Sequence, residues 1–265
     1  MEPIVKRSDE SATRSGAAKA KAARLPATAG SHDFPRPYTT VDVVIFTVID
    51  GALKVLLVQR PSGAGEPHPA AWALPGGFVN VELDADLLSC ARRKLREKTG
   101  VASPYLEQLG SWGSASRDPR GWSATHAYFA LIPPQGVALV RGANAADVAW
   151  FDVDRPRKGA RLAFDHGDIL RAAVERLRSK VEYTSLPAFL LPEPFTLPQL
   201  QQAYEIVLGR SIDKSGFRTR MMSAGFLEEA GIVETASRRP PMAWRLKDRA
   251  GPVYFPRTFS PRGGQ

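Results

Sequence analysis

One cysteine, four histidines and no long apolar run set the first limits on this 265-residue chain. Cys90 alone cannot close an internal disulfide, so a reducing compartment suits the chain, and at its place in a helix it reads as a small packing residue. No apolar stretch approaches the roughly 20 residues of a membrane-spanning helix. The N-terminus also lacks the hydrophobic centre of a secretory leader, so the cytoplasm is the expected location. Acidic groups are outnumbered, 27 Asp and Glu against 36 Lys and Arg, which leaves a formal charge of +9 and a pI near 9.9. That balance favours polyanion partners, nucleic acid or phosphate ligands, although a basic surface also serves solubility alone. Residues 1 to 36 hold no aromatic before Phe34 and no sustained apolar period, so a disordered basic tail is expected there. Such a tail either attracts DNA non-specifically or only keeps the chain in solution.

What is present begins at Tyr38. The run VDVVIFTVID (41 to 50) predicts a buried strand, Gly51 a turn, and LKVLLVQR (53 to 60) the returning strand of a hairpin. YLEQLGSW, ATHAYFALI and VAWFDV add strands, and residues 165 to 179 form an amphipathic helix. A hydrophobic content of 43% is enough for real cores, and the length suits two modest domains better than one.

Between these strands lies GGFVNVELDADLLSCARRKLREKTG (76 to 100). Leu87, Leu88, Ala91 and Leu95 recur at helical spacing, and Gly76 and Gly77 before the helix let backbone approach a ligand closely. Lys94, Glu97 and Lys98 stand at i, i+3 and i+4, so their heads converge on one patch. A magnesium ion wants clustered carboxylate oxygens, and one glutamate between two lysines supplies few.

This stretch resembles the Nudix box, G-x5-E-x7-R-E-U-x-E-E-x-G-U, in which U is a bulky aliphatic residue. Arg93, Leu95, Glu97, Gly100 and Val101 match; Lys94 and Lys98 stand where the other helix glutamates belong. The span from Gly77 to Gly100 is two residues longer than the pattern, and the loop glutamate falls on Leu83 or Ala85. Glu82, Asp84 and Asp86 lie nearby. The resemblance implies an α/β (α+β) fold, a Nudix-type mixed sheet between helices over residues 38 to 180. SRDPRGWSATHAYFALI and LAFDHGDIL are similar to segments of ADP-ribose-type Nudix domains. Arg117 and Arg120 then become candidate phosphate clamps through forked, charge-assisted hydrogen bonds, with a locally paired surface turn at RDPRG as the alternative. His126 and His166 are either ligand contacts or ordinary hydrogen-bonded histidines.

After Pro187 the pattern changes. LPAFLLPEPF interrupts it, Thr196 caps a helix ending at Gly209, and Asp213 caps a second, shorter one ending at Gly225. Phe217 and Met221 pack inward, leaving Lys214, Ser215, Arg218 and Thr219 outward on a surface suited to a DNA groove. Two extended runs around a basic loop with Arg238 and Arg239 complete a wing. The order of parts, an altered Nudix box followed by FTLPQLQQAYEIVLGRSIDKSGFRTRM, resembles the NrtR family of Nudix-related transcriptional regulators over residues 38 to 257. A flexible tail follows at 258 to 265.

The resemblance implies an ADP-ribose-sensing domain, a small C-terminal winged helix-turn-helix domain at 187 to 257, a homodimer on double-stranded palindromic operator DNA, and control of NAD-related genes. Ligand contacts are expected at Gly76, Gly77, Phe78, Lys94, Lys98, Arg117, Arg120 and Tyr128. DNA contacts are expected at Lys214, Ser215, Arg218, Thr219, Arg238 and Arg239. No catalytic residue is assigned, Glu97 being the residual acid of the box, and no cofactor is required. The alternative is a working Nudix hydrolase that holds Mg2+ on Glu97 with Glu82, Asp84 or Asp86. A third reading is a protein-interaction scaffold on a vestigial Nudix fold.

Overall fold

In the computed structural model the described residues are 36–101, 105–135, 137, 139–140, 145–154, 162–233 and 240–256. The basic tail, the Arg238 and Arg239 part of the wing, and the last residues lie outside them.

Strands β1 (Tyr38–Ile49) and β2 (Ala52–Gln59) form the expected hairpin, turning at Asp50 and Gly51, both at positive φ. The short strands β3 (Trp72–Ala73) and β4 (Gly76–Phe78) follow, then helix α1 (Leu87–Thr99), β5 (Tyr105–Asp118), β6 (Gly121–Leu131) and β7 (Asp147–Asp152). The main sheet runs β3-β2-β1-β6-β5, with β4 added to β1 and β7 to β2. It is mixed: β1 and β6 are parallel, and the other pairs are antiparallel. Gly76–Phe78, read from sequence as loop, is therefore a strand that pairs with Thr40 to Asp42. That pairing holds the two glycines against the sheet.

The chain starts and stops α1 by itself. Asp86 caps it by accepting from the Ser89 N–H at 2.6 Å, while Ser89 Oγ accepts from the Asp86 N–H at 2.9 Å. Gly100, at φ 70°, closes its far end. Its buried face is Cys90, Ala91, Leu95 and Thr99, which covers one side of the sheet. Helix α2 (His166–Val181) covers the other side through Ile169, Ala173, Leu177 and Val181.

The first half of LPAFLLPEPF is a core element. Leu186–Leu190 forms a buried 3-10 helix whose Phe189 ring meets Tyr105 at 5.5 Å. The second lobe adds β8 (Phe195–Thr196), α3 (Leu197–Leu208), α4 (Lys214–Ser223), β9 (Leu227–Ile232) and β10 (Met242–Leu246), its sheet ordered β8-β10-β9. A single apolar cluster runs from Phe46 and Phe129 in the main sheet through Phe189 to Leu200, Tyr204 and Phe217. Apolar burial thus spans both lobes on the α2 side of the sheet, while the α1 side holds a separate cluster within the first lobe.

Thr196 accepts from the Gln199 N–H at 3.3 Å, and the Gln199 side chain accepts from the Thr196 N–H at 2.7 Å. Thr196→Ala is expected to cost about 1 kcal/mol, read as a lowered urea midpoint at unchanged slope. A midpoint equal to wild type would mean that α3 is held by packing alone. Among the described residues no helix is long and apolar enough to cross a membrane.

Candidate functional site

A cleft of about 300 Å³ opens where β4, α1, the end of β2 and the β5–β6 hairpin meet. Gly76 and Gly77 form its floor for a steric reason. A Cβ at position 76 would lie 1.9 Å from Asp42 Oδ1, and one at 77 would lie 3.1 Å from Lys94 Nζ. Gly77 also sits at φ 141°, which L side chains avoid. The absence of both side chains brings backbone and the Lys94 ammonium together.

On the α1 wall, Lys94, Glu97 and Lys98 all line the cleft, as their spacing predicts. Glu97 is paired twice, with Arg93 Nη1 at 2.8 Å and Lys94 Nζ at 3.7 Å. Burial pushes the Lys98 ammonium below its usual value, an effect the neighbouring Glu97 opposes and Lys94 reinforces. The nearby acids have other partners. Asp84, its side chain 1% exposed, takes Arg93 Nε at 2.7 Å and Nη2 at 2.6 Å. Those bonds outweigh burial and hold its carboxyl far below the ordinary range. Asp86 is occupied as the α1 cap, and Glu82 is exposed.

The opposite wall carries arginines, each already matched to a carboxylate. Arg117, expected as a candidate phosphate clamp or as part of a locally paired turn, is buried: Nη2 donates to Asp42 at 2.9 Å and Nε to Asp165 at 2.9 Å. Two of its donors hold the wall together, so it borders the cleft as an anchor. Burial alone would raise the Asp42 carboxyl, but the facing His166 and Arg117 outweigh it and leave the group below its ordinary value. His166 Nδ1 accepts from the Leu74 N–H at 2.9 Å. A backbone N–H can only donate, so the ring proton is on Nε2, which faces Asp42 Oδ2 at 3.5 Å.

Arg120 grips Asp118 with Nε at 2.9 Å and Nη2 at 2.7 Å, the local pairing that the surface-turn alternative expected. Its guanidinium also lies 5.1 Å from the Phe78 ring centre, and Phe78 is 43% exposed at the cleft mouth.

Tyr128 is not in the cleft. It lies 5% exposed in the core beneath α1, with Cys90 and Ala91, because residues 128 and 130 point to that face while 127 and 129 point to the α2 side. His126 lies outside the cleft as well, at 2.9 Å from Ser111 Oγ on the neighbouring strand.

Asp42, Arg60 and Phe164 also line the cleft and are not among the contacts expected from sequence. Asp42 left a usable signal, a carboxylate inside an otherwise apolar run. Arg60, at the end of β2, reaches Glu66 at 2.9 Å and stands 5.0 Å from the Phe164 ring centre. Phe164 is a non-glycine residue at positive φ, packed against His68 at 4.6 Å. Neither left a pattern at helical or strand spacing.

The second candidate surface is α4. Phe217 and Met221 are buried, Phe217 meeting the Tyr204 ring at 5.2 Å. Lys214, Ser215, Arg218 and Thr219 are exposed on its outer side. Asp213 caps the helix by accepting from the Gly216 N–H at 2.6 Å. Arg238 and Arg239, the expected wing contacts, lie outside the described residues.

Comparison with known proteins fits this two-part geometry. Residues 38–173 match the model of the NUDIX domain, and residues 187–246 match that of the NrtR DNA-binding winged helix domain. An Acinetobacter baylyi protein described as an ADPR responsive transcriptional repressor, NtrR, is 45% identical over 225 residues, covering 85% of this chain and 88% of that protein. The Shewanella oneidensis NrtR crystallised with a 27mer DNA shares 42% identity, with a TM-score of 0.73 over 82% of this chain and 97% of that one. The NUDIX domain of the same Shewanella protein, crystallised with ADP ribose, matches at 42% identity and a TM-score of 0.51 over 57% of this chain and 95% of that one. With its NUDIX fold, its NrtR winged helix and a relative of this identity along most of both chains, the protein belongs to the NrtR family of Nudix-related transcriptional regulators.

Proposed function

We propose that this chain is a transcriptional repressor that binds operator DNA through α4 and leaves it when ADP-ribose, or a related nucleoside diphosphate sugar, enters the cleft. The observation that carries the ligand half is the placement of Lys94 and Lys98 on the cleft wall, with the Lys94 ammonium over the bare backbone of Gly77. Two cations beside a glycine floor suit a diphosphate, whose oxygens accept both ammonium and backbone N–H donors. Gly76, Phe78 and Arg120 complete the proposed contacts, Arg60 joins them, and Arg117 holds the wall behind them.

The donor set does not fit a magnesium ion. Glu97 is the sole acid of α1 and is paired to Arg93 and Lys94, Asp84 is held by Arg93, and Asp86 caps the helix. Among the described residues no group of three or more His, Cys, Asp or Glu side chains is placed to hold a metal. This supports a box that binds without hydrolysing, and no step of the proposal passes through a cofactor. Lys94 and Lys98 would replace part of the positive charge a metal brings to the diphosphate.

Regulation follows from linkage. If ADP-ribose binds better to the free form than to the DNA-bound form, ligand and DNA weaken each other by the same factor. The DNA half rests on the four exposed α4 side chains and on the relative crystallised with DNA. The NrtR order of parts suggests two copies on a palindromic site, working in the cytoplasm.

The test is a gel shift on DNA upstream of the protein's own gene against random competitor, with and without ADP-ribose and magnesium. Specific binding released by intact ADP-ribose is expected. Release of AMP in the same tubes, with no specific shift, would instead make the chain a hydrolase. Arg218→Ala is expected to weaken operator binding by about 1–3 kcal/mol and to relax sequence preference. An equal loss on operator and random DNA would remove Arg218 from base readout.

A further inference from the structure

The cleft and the recognition helix are far apart in sequence, yet one helix touches the machinery of both. At the start of α2, Asp165 accepts Arg117 Nε at 2.9 Å and His166 accepts the Leu74 N–H at 2.9 Å, both on the cleft wall. At its end, the Glu182 carbonyl accepts Arg220 Nη2 of α4 at 2.9 Å, and the Glu182 carboxylate takes Arg210 Nη2 at 2.8 Å. Between these ends run 16 helical residues, about 24 Å at 1.5 Å each. Ile169, Ala173 and Leu177 are fully buried along it, and Arg178 Nε donates to the Val207 carbonyl of α3 at 2.9 Å. Packed in this way along its length, the helix is a continuous element between the two ends.

Arg220 is exposed like Lys214, Ser215, Arg218 and Thr219, but it lines the cavity between α4 and the end of α2 and donates to the Glu182 carbonyl. That cavity, of about 360 Å³, is lined also by Tyr204, Phe217, Met221 and Phe255. Across this gap Arg220 is the tie, with its guanidinium 5.2 Å from the Phe255 ring centre and its Nη2 on the Glu182 carbonyl. The space lets α4 shift, and the arginine makes it follow α2.

We propose that Arg220 is the positioning residue through which ligand in the cleft reorients the recognition helix, with α2 as the link. The inference rests on the ADP-ribose-responsive reading above. A diphosphate arriving beside Arg117 competes with Asp165 and His166 for the wall, and displaces the start of α2. The displacement reaches Glu182 and is passed to α4 by Arg220, whose guanidinium holds the Glu182 carbonyl. Two sites joined by an element with two arrangements is what a coupling free energy requires.

The experiment measures, on the full chain, affinity for the upstream DNA with and without saturating ADP-ribose, and affinity for ADP-ribose without DNA. Arg220→Met is expected to leave ADP-ribose affinity within about twofold. It should cut the factor by which ADP-ribose weakens DNA binding at least about fivefold. Arg220→Lys, which can still donate to the Glu182 carbonyl, recovers part of that factor. Glu182→Gln, which keeps the carbonyl and perturbs only the Arg210 pair, retains it. A responsive wild type with an equally responsive Arg220→Met overturns the link and leaves the functional reading standing, as does equal loss in Glu182→Gln and Arg220→Met. If Arg220→Met does not fold, Arg220→Lys decides, and full loss of response with no recovery overturns the carbonyl tie. A wild type whose DNA affinity ignores ADP-ribose overturns both.

Discussion

Arg117→Met is expected to cost the fold about 3–5 kcal/mol, the usual consequence of removing one partner from a buried ion pair. Arg117 and Asp42 are 4% and 6% exposed in their side chains, with 2.9 Å between Nη2 and Oδ2. Methionine fills much of the space but leaves the buried Asp42 carboxylate without its cation, beside His166 and Thr125. Urea unfolding followed by tryptophan fluorescence measures the loss. The double variant Arg117→Met with Asp42→Asn should recover a large part of it, since the deeply buried carboxylate is then gone and the other partner, Asp165, is 22% exposed.

The pH dependence gives a second check with a fixed sign. In the wild type the Asp42 carboxyl lies below its ordinary value of 3.8. Its contribution is therefore complete above about pH 4 and is lost as the pH falls through the lower folded value. In Arg117→Met burial dominates and the folded value rises, so the deficit against wild type should shrink as the pH is lowered toward 4. A deficit under about 1 kcal/mol, or one that is flat with pH, would mean that Arg117 is solvated in solution and that the wall is not built on this pair.

The second large effect is on ligand affinity. The double variant Lys94→Glu and Lys98→Glu is expected to weaken ADP-ribose binding about 100-fold or more. Each charge-assisted contact is worth about 1.5–3 kcal/mol, and both are replaced by repulsion of the diphosphate. The Lys94–Glu97 pair, at 3.7 Å with Glu97 45% exposed, contributes little to stability. Calorimetric titration with ADP-ribose gives the affinity, and nucleotide chromatography with magnesium reports any AMP released. An affinity within twofold of wild type, with no AMP, would make both lysines plain surface. AMP release by the variant would show that the cleft positions the diphosphate correctly and that the carboxylates were the missing part.

Much of this molecule is local chemistry and could be read without coordinates. Hairpin β1–β2 follows from two apolar runs around Asp50 and Gly51. The ends of α3 and α4 follow from Thr196, Gly209 and Asp213, whose capping bonds span three or four residues. Lys94, Glu97 and Lys98 share the cleft because helical spacing dictates it. So does the inward turn of Phe217 and Met221.

Other features depend on residues that meet only after folding. Asp42 and Arg117 are 75 positions apart, and Arg117 and Asp165 are 48 apart. No periodicity links such groups, so the sequence left Arg117 open between a phosphate clamp and a locally paired turn and gave no sign of its two distant carboxylates. Tyr128 shows a different limit. In a strand covered on both sides every position is apolar, the alternation of polar and apolar residues disappears, and the face a residue points to cannot be inferred from its neighbours. The continuity of the two lobes has the same origin: LPAFL carries proline as a linker would, yet its buried Phe189 joins Tyr105 to the second lobe. The sequence thus determined the hairpin, the main helices, the caps of α3 and α4 and the cations of α1, because each depends on residues within a turn or two. Which carboxylate holds which arginine, and which helix joins the cleft to α4, depended on long-range burial, where low dielectric makes the matching of distant charges decisive.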